Sequence, residues 1–421
     1  MLPEGAAGAP PPTVARWRLF GELPALRHRN FRLFVVGQGI SLIGFWMQSV
    51  AQGWLVYRLS GSALALGVVA FAGYTPILCL APVAGVVADR LSRHRVLMVT
   101  QTLLMLITGT LAVLVATGAV TVPMVVASAF LVGLVSALDV PTRQSFFVEM
   151  VGADDLPSAI ALNSSIFNGA RVIGPAIAGV IVGGIGEGPC FFLNSASYLA
   201  VLVALQRMRL PRASTHGRAS KEAAAFRTGL RYVWRTPALR NLLALLGIVS
   251  SLGLQYNVLM PVFARRVFGA GAPGYGLLLT ANGVGALCSG LGLASGRPSR
   301  AQHRRNLLLG LITFGAAVLG LGLSRQFVIA LVLQAFAGYG MIRYTATTNT
   351  LLQLLVEDQY RGRVMGLHTV MFLGTAPAGS LLLGALAERA GAPLAVMVSG
   401  SVSLAAAAWL AVRLRRLARG G

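Results

Sequence analysis

The deepest charge in the sequence is Arg171, about thirteen residues into an apolar run that starts near 158, or roughly 20 Å along a helix. Ser164 and Asn168 precede it at helical spacing, so the three share one polar face. A guanidinium at such depth costs at least about 2.5–3.5 kcal/mol on insertion scales and needs a partner or a cavity. It could donate to backbone carbonyls of neighbouring helices or belong to a path through the membrane; the residue types leave both open. Other apolar runs carry uncharged hydrogen-bonding groups: Gln38, Ser41, Gln48 and Gln52 on one face of the first, Ser251, Gln255 and Tyr256 on the seventh, Gln334 and Tyr339 on the tenth. Phe45 is their apolar neighbour in the first run. Such groups either bind and orient a solute or join neighbouring helices by hydrogen bonds. No Asp or Glu lies deep in any run, and His368, in the eleventh, either titrates near neutral pH or serves as a packing donor.

Bond-making chemistry has little support. There is no His-Glu-x-x-His and no Gly-x-Ser-x-Gly, so an intramembrane enzyme is not expected. A phosphate loop needs Gly-Lys-Ser/Thr, whereas the only lysine, Lys221, follows Ser220, so the chain holds no ATP-driven motor. Cys79, Cys190 and Cys288 lack metal-ligand spacing and read as small buried hydrophobes. No cofactor or metal is expected.

The elements that must position these residues are membrane helices. Of the 421 residues, 56% are hydrophobic and 11% charged, and the mean hydropathy is +0.73, beyond what a water-soluble core requires. A crossing needs roughly 20 apolar residues. Such runs fall at about 33–57, 62–87, 96–117, 120–141, 158–183, 189–206, 240–264, 273–295, 306–323, 327–347, 364–386 and 393–412. The predicted fold is therefore an all-α polytopic membrane protein of twelve transmembrane helices, with bundles at 33–206 and 240–412. A tail at 1–32, a linker at 207–239 and a tail at 413–421 complete it. The first thirty residues lack the apolar stretch of a signal peptide.

Charge sets the orientation. The formal charge of +23 sits in short gaps between apolar runs instead of on one solvated face, which argues against nucleic acid. With both termini in the cytoplasm, about 28 of the 35 Lys and Arg fall inside and about 5 outside (Arg58, Arg265, Arg266, Arg325, Arg389), with Arg171 and Arg343 within spans. The linker segment 222–234 sets Phe226, Leu230 and Trp234 at intervals of four, which predicts an amphipathic helix along the inner leaflet.

The two bundles repeat. Gly85-Val-Val-Ala-Asp-Arg-Leu-Ser-Arg93 aligns without gaps with Gly292-Leu-Ala-Ser-Gly-Arg-Pro-Ser-Arg300, and 148–155 aligns with 352–359. In the second copy Asp89 becomes Gly296, and Asp139 maps onto Arg343. Parallel repeats of this kind place a substrate site near the bilayer midplane between the halves.

The loop 85–95 resembles the signature between helices two and three of the major facilitator superfamily, Gly-x-x-x-Asp-Arg-x-Gly-Arg-Lys/Arg, with Ser92 at its second glycine. Arg29-Asn-Phe-Arg-Leu-Phe, the segment from Trp54 to Gly67, and Leu162-Asn-Ser-Ser-Ile-Phe-Asn-Gly-Ala-Arg-Val-Ile-Gly-Pro175 resemble the branch containing enterobactin and macrolide exporters. The resemblance implies a rocking exporter of a small organic molecule in the cytoplasmic membrane, monomeric and driven by an ion gradient, usually protons. An importer of the same fold, or a non-transporting receptor or scaffold derived from it, is the alternative. It further implies a cytoplasmic lock in the outward-facing state: Asp89, Arg90 and Arg93 meeting Asp139 and the start of helix eleven near Arg361 and Arg363. A carboxylate beside a helix N-terminus and an arginine makes a contact that can break and reform. The decay of the second copy predicts that only the first half carries the full lock. Helices one, four, seven and ten line the cavity in this superfamily, which points the uncharged groups above toward substrate. Gly174, Pro175 and Gly179 resemble the helix-five signature of antiporters and imply a hinge there.

Overall fold

The computed structural model describes residues 23–209, 222–294 and 299–419; the side chains of 81–90, 222–227, 300 and 414–419 lie outside that description. Asp89 and Arg90 are in this last group, so the expected contacts of the loop carboxylate lie outside the described side chains, as do most of the N-terminal tail and part of the linker. The described residues form helices joined by short turns, with no strand among them.

Spans one to three are Arg29–Ser60, Ala63–Arg90 and Arg93–Ala116. The sequence predicts a polar break near 142–157, between runs four and five. Two helices fill Val122–Ile185 and extend into that stretch, so the break narrows to a kink at Gly152 (φ 76°, ψ 176°), inside the predicted gap. A positive φ of that size suits glycine alone. The segments on either side, of about 30 and 33 residues, are roughly 45 and 50 Å long, so each can cross a bilayer. The helix persists through the polar stretch because Phe146, Phe147, Met150 and Val151 form a buried face there. Phe147 packs edge-on against Phe31 and Phe34, ring centroids 6.2 and 5.7 Å apart. Those two phenylalanines explain why the first span starts at Arg29, earlier than hydropathy predicts.

The sixth span is Gly188–Gln206. A surface helix, Glu222–Arg235, follows the linker. It seats on the second half: Tyr232 stacks on Tyr360 at 4.1 Å and 15°, while Trp234 is 68% exposed and Leu230 45%. The seventh span, Pro237–Val267, is interrupted by π-helical turns at Val249–Gly253 and Phe263–Val267. Spans eight to ten are Gly271–Ala294, Arg300–Leu323 and Phe327–Leu355. The eleventh is made of Arg361–Leu373 and Ala376–Ala390, and the twelfth is Ala392–Arg419. Among the described residues these make twelve spans, six in each half. Residues such as Val180 and Val328 are 73% and 71% exposed, an apolar exterior suited to acyl chains.

Candidate functional site: the interface between the halves

The halves meet at the end of the molecule that carries the turns after spans one and eleven. The Arg266 guanidinium donates to the Gly61 carbonyl at 3.2 Å and lies with Arg265 over the Tyr57 ring at 5.6 and 6.0 Å. Glu388 accepts from the Ser62 hydroxyl and from the Ala63 and Leu64 amides at 3.1, 2.7 and 3.2 Å. Trp54 stacks on Tyr275 at 6.4 Å. Nearby, the first and sixth spans are tied by a fork from Arg58 to Glu187, at 2.7 and 3.2 Å.

Small residues let the backbones close at this end. A β-carbon on Gly276 would lie 2.6 Å from the Pro175 carbonyl oxygen and 3.0 Å from the Gly179 nitrogen, and one on Gly183 would meet the Pro273 ring at 2.6 Å. On the eleventh span, one on Gly384 would lie 2.9 Å from the Ala63 carbonyl oxygen. Toward the opposite end of the same helices, β-carbons at Gly169, Gly290 and Gly366 would meet nothing within 4 Å. The interface is tight at one end and parted at the other. The predicted hinge residues Gly174, Pro175 and Gly179 are all buried in the tight part, with helical backbone.

Arg171 lies where the tight zone ends. Its Nη2 donates to Asn282 Oδ1 of the eighth span at 2.7 Å and approaches Met341 Sδ of the tenth at 3.8 Å, both across the interface. Its guanidinium carbon sits 5.7 Å from the Trp46 ring. Trp46 is flanked by Phe45 and Phe167, at 5.7 and 5.6 Å between centroids. Behind Arg171, Asn282 Nδ2 donates to the Tyr256 hydroxyl at 3.0 Å and to Gln334 Oε1 at 3.2 Å. The Tyr256 hydroxyl donates to the same Gln334 oxygen at 2.9 Å. Tyr256 and Gln334 are fully buried and Asn282 is 2% exposed. Counted from the helix ends at the tight side, Trp46, Arg171, Asn282 and Met341 are all about 11 to 14 residues in, or roughly 16–21 Å. That is the middle of a bilayer about 30 Å thick.

Several expected cavity residues turn out to have other partners. Gln48 accepts from Asn194 of the sixth span at 2.5 Å. Gln38 and Ser41 are 4% and 6% exposed, on a stretch where Gly44 lies against Asn194 and Ser197. The first-span stripe thus faces mainly its own bundle, because a polar group in an apolar interior goes where a partner exists; Gln52 is half-buried. Tyr256 and Gln334 stand behind Arg171 instead of lining open space. Gln255 donates to the Ser250 carbonyl at 3.0 Å and accepts from Ser380 at 3.1 Å, tying the seventh span to the eleventh. Ser251 and Asn168 donate within their own helices, at 3.0 and 2.8 Å. The Tyr339 hydroxyl accepts from Arg343, which also donates to Asn306 at 2.7 Å.

At the parted end, the described lock residues pair within their own halves. Arg93 donates to Glu149. Asp139, fully buried, accepts from Arg143 and from Thr100 and Gln101 at 2.7 and 2.8 Å. It clasps spans three and four in place of meeting Arg93. Asp139 and Arg343, at equivalent repeat positions, do the same job: each ties the fourth helix of its half to the third. Arg361 pairs locally with Asp358 at 2.5 Å, and Arg363 lies over the Tyr360 ring at 5.6 Å.

The sequence reading missed Trp46, Asn282, Met341, Glu149, Arg266 and Glu388. Asn282 carried a signal, as the one amide in its own apolar run, 273–295. Trp46 and Met341 carried none, since only packing brings them to Arg171.

A family model described as transmembrane secretion effector matches residues 21–419. The multidrug efflux pump Tap of Mycolicibacterium fortuitum is 29% identical over 365 residues, covering 84% of this chain and 87% of its own. The staphyloferrin A transporter of Staphylococcus aureus is 28% identical over 365 residues, covering 85% and 89%. Among solved structures, a peptide transporter aligns with a TM-score of 0.73 at 14% identity, covering 93% of this chain and 95% of that one. A D-xylose–proton symporter gives 0.71 at 13%, covering 90% and 96%. At those identities the structural likeness speaks for fold alone.

Proposed function

We propose, from the premise that this chain belongs to the transmembrane secretion effector family of major facilitator transporters, that it exports small organic molecules across the cytoplasmic membrane by alternating access. The family is one of transporters and not of enzymes. The observation that carries the reading is the asymmetry of the interface: Glu388 and Arg266 fasten one end, while Asp139, Arg93 and Arg361 make their bonds within their own halves at the other. With both termini cytoplasmic, as the distribution of arginines favours, this is a state open to the cytoplasm and sealed outside. A solute entering from the cytoplasm meets Arg171, Trp46 and Phe167 at mid-membrane.

Rocking about that level breaks the outer contacts and brings the inner ends together. Asp89, Arg90 and Arg93 then hold the inner ends of the second and third spans against the start of the eleventh, near Arg361 and Arg363. Gly174, Pro175 and Gly179 supply the small surface on which the fifth span pivots. The chain works as a monomer with the proton as coupling ion. No carboxylate lies deep in a span facing the interface, so coupling runs through groups nearer the helix ends.

Export rather than import rests on the relatives named as efflux pumps. The test is expression in a pump-deficient host with a panel of antibiotics, dyes and siderophores, scored for resistance and intracellular accumulation with and without an uncoupler. Export predicts lower accumulation that the uncoupler reverses. Higher accumulation of any member would favour import.

A further inference from the structure

Arg171 has more donor capacity than its neighbours use. Of its guanidinium nitrogens only Nη2 has a described hydrogen-bond partner, Asn282, with Met341 sulfur as a weak second acceptor. Its Nε and Nη1 donate to no described residue, and no carboxylate pairs with it. The half-buried arginines of the third, fourth and tenth spans have protein acceptors: Arg93 has Glu149, Arg143 has Asp139, and Arg343 has Asn306 and Tyr339. Arg171 instead receives a neutral amide oxygen and the face of Trp46. Among the described residues no carboxylate reaches it, and the buried acid of the fourth span, Asp139, is already paired with Arg143.

The surroundings hold this charge in place. Asn282 is fixed by two fully buried groups, Tyr256 and Gln334. Its amide therefore presents the oxygen to Arg171 and the nitrogen to the network. That orients the guanidinium fork at the level where the tight interface ends. An unpaired cation at mid-membrane is retained where it serves a function, and a planar fork with free N–H groups matches a carboxylate or phosphate in two-point contact. The ladder Phe45, Trp46 and Phe167 beside it offers an apolar and aromatic wall.

We propose that Arg171 is the anion-recognition site of this transporter and that its substrates are organic anions, bearing a carboxylate or phosphate on an apolar or aromatic body. This rests on the export reading and narrows it: the site disfavours cations by like charge in a poorly screened setting. The Arg171–Asn282 bond also crosses the halves, so a substrate anion that takes the guanidinium competes with a contact of the closed outer state.

The test uses Trp46 as reporter. In full-length protein whose other tryptophans are replaced by phenylalanine, emission is titrated with two matched probes, phthalate and benzyltrimethylammonium. The proposal expects saturable quenching by phthalate and none by the cation at equal concentration. Arg171→Gln should weaken phthalate by about 10- to 100-fold, the range of a charge-assisted hydrogen-bonded pair, and Arg171→Lys by less. If Arg171→Gln fails to fold, Asn282→Asp keeps the arginine and sets an internal carboxylate beside it; thermal stability should hold while phthalate binding is lost. Quenching by the cation, no saturable phthalate quenching in the parent, or equal phthalate affinity in Asn282→Asp and its parent would each overturn the proposal. Counterflow of a labelled solute in proteoliposomes is measured alongside. Counterflow without phthalate binding defeats the anion assignment alone, while absent counterflow with phthalate binding intact defeats the transport reading alone.

Discussion

The carboxylate of Glu388, on the eleventh span, accepts the backbone amide of Ala63 at 2.7 Å, and so an acid from one half caps the first turn of the second span in the other. Leu64 and Ser62 donate to the same oxygen. The first amides of a helix have no partner within it and carry partial positive charge, so a carboxylate is their natural acceptor. Here the acceptor comes from the other half, and on the proposed rocking the cap lasts only while this end is shut.

Glu388→Ala should therefore favour outer opening. The site is partly exposed, so the loss is on the order of 1 kcal/mol, a several-fold change in the ratio of the two states. Spin labels at Ser60→Cys and Arg389→Cys, in protein whose native cysteines are replaced, report the outer separation by pulsed dipolar spectroscopy. A larger long-distance fraction is expected, and an unchanged distribution would remove Glu388 from the latch.

Gly276→Ala tests the backbone approach of spans five and eight. Its β-carbon would lie 2.6 Å from the Pro175 oxygen, and overpacking of this kind costs about 1–3 kcal/mol. Since the contact belongs to the tight end of the interface, the same spin-label pair should again report opening, with transport reduced and expression retained. Were expression to collapse, the contact would be structural in both states.

Asp139→Asn separates a clasp from a lock. The buried carboxylate holds Arg143, Thr100 and Gln101, and breaking a buried ion pair from one side costs about 3–5 kcal/mol. A marked fall in thermal stability of the detergent-solubilised protein is expected, whichever way the transporter faces. A variant as stable as the parent but shifted between states would return Asp139 to the lock.

Asp89→Asn should do the reverse. It leaves expression and stability intact and destabilises the outward-facing state, so a single-cysteine reporter on the cytoplasmic side labels faster and transport slows. Unchanged labelling together with unchanged transport would exclude Asp89 from a lock.

How far the sequence reached depends on the range of the signal. Helix number followed from runs of apolar residues, because the bilayer imposes a length on each. The break between spans four and five, at Gly152, lies in the expected gap, but the extension of the helices past the membrane was not legible, because it is stabilised by Phe31 and Phe34 packing on Phe146 and Phe147, contacts more than a hundred residues apart. Arg171 stood out since a charge at mid-membrane is conspicuous anywhere. Gln48 was misdirected for the complementary reason: a helix face can be read from spacing, but whether it meets a cavity or Asn194 depends on a different helix. Glu388 read as one more charge at a helix end, and its role emerges only from the halves meeting.

On the proposed function the chain carries solute by exposing one mid-membrane site to each side in turn. Counterflow tests it most directly. Proteoliposomes preloaded with an unlabelled solute from the export panel are diluted into a trace of the same solute with a label. Transient, saturable accumulation of label is expected that needs no ion gradient and is abolished by a disulfide tying Ser62→Cys to Glu388→Cys, then restored on reduction. Accumulation absent for every solute the cells export, or undiminished by that crosslink, would contradict it.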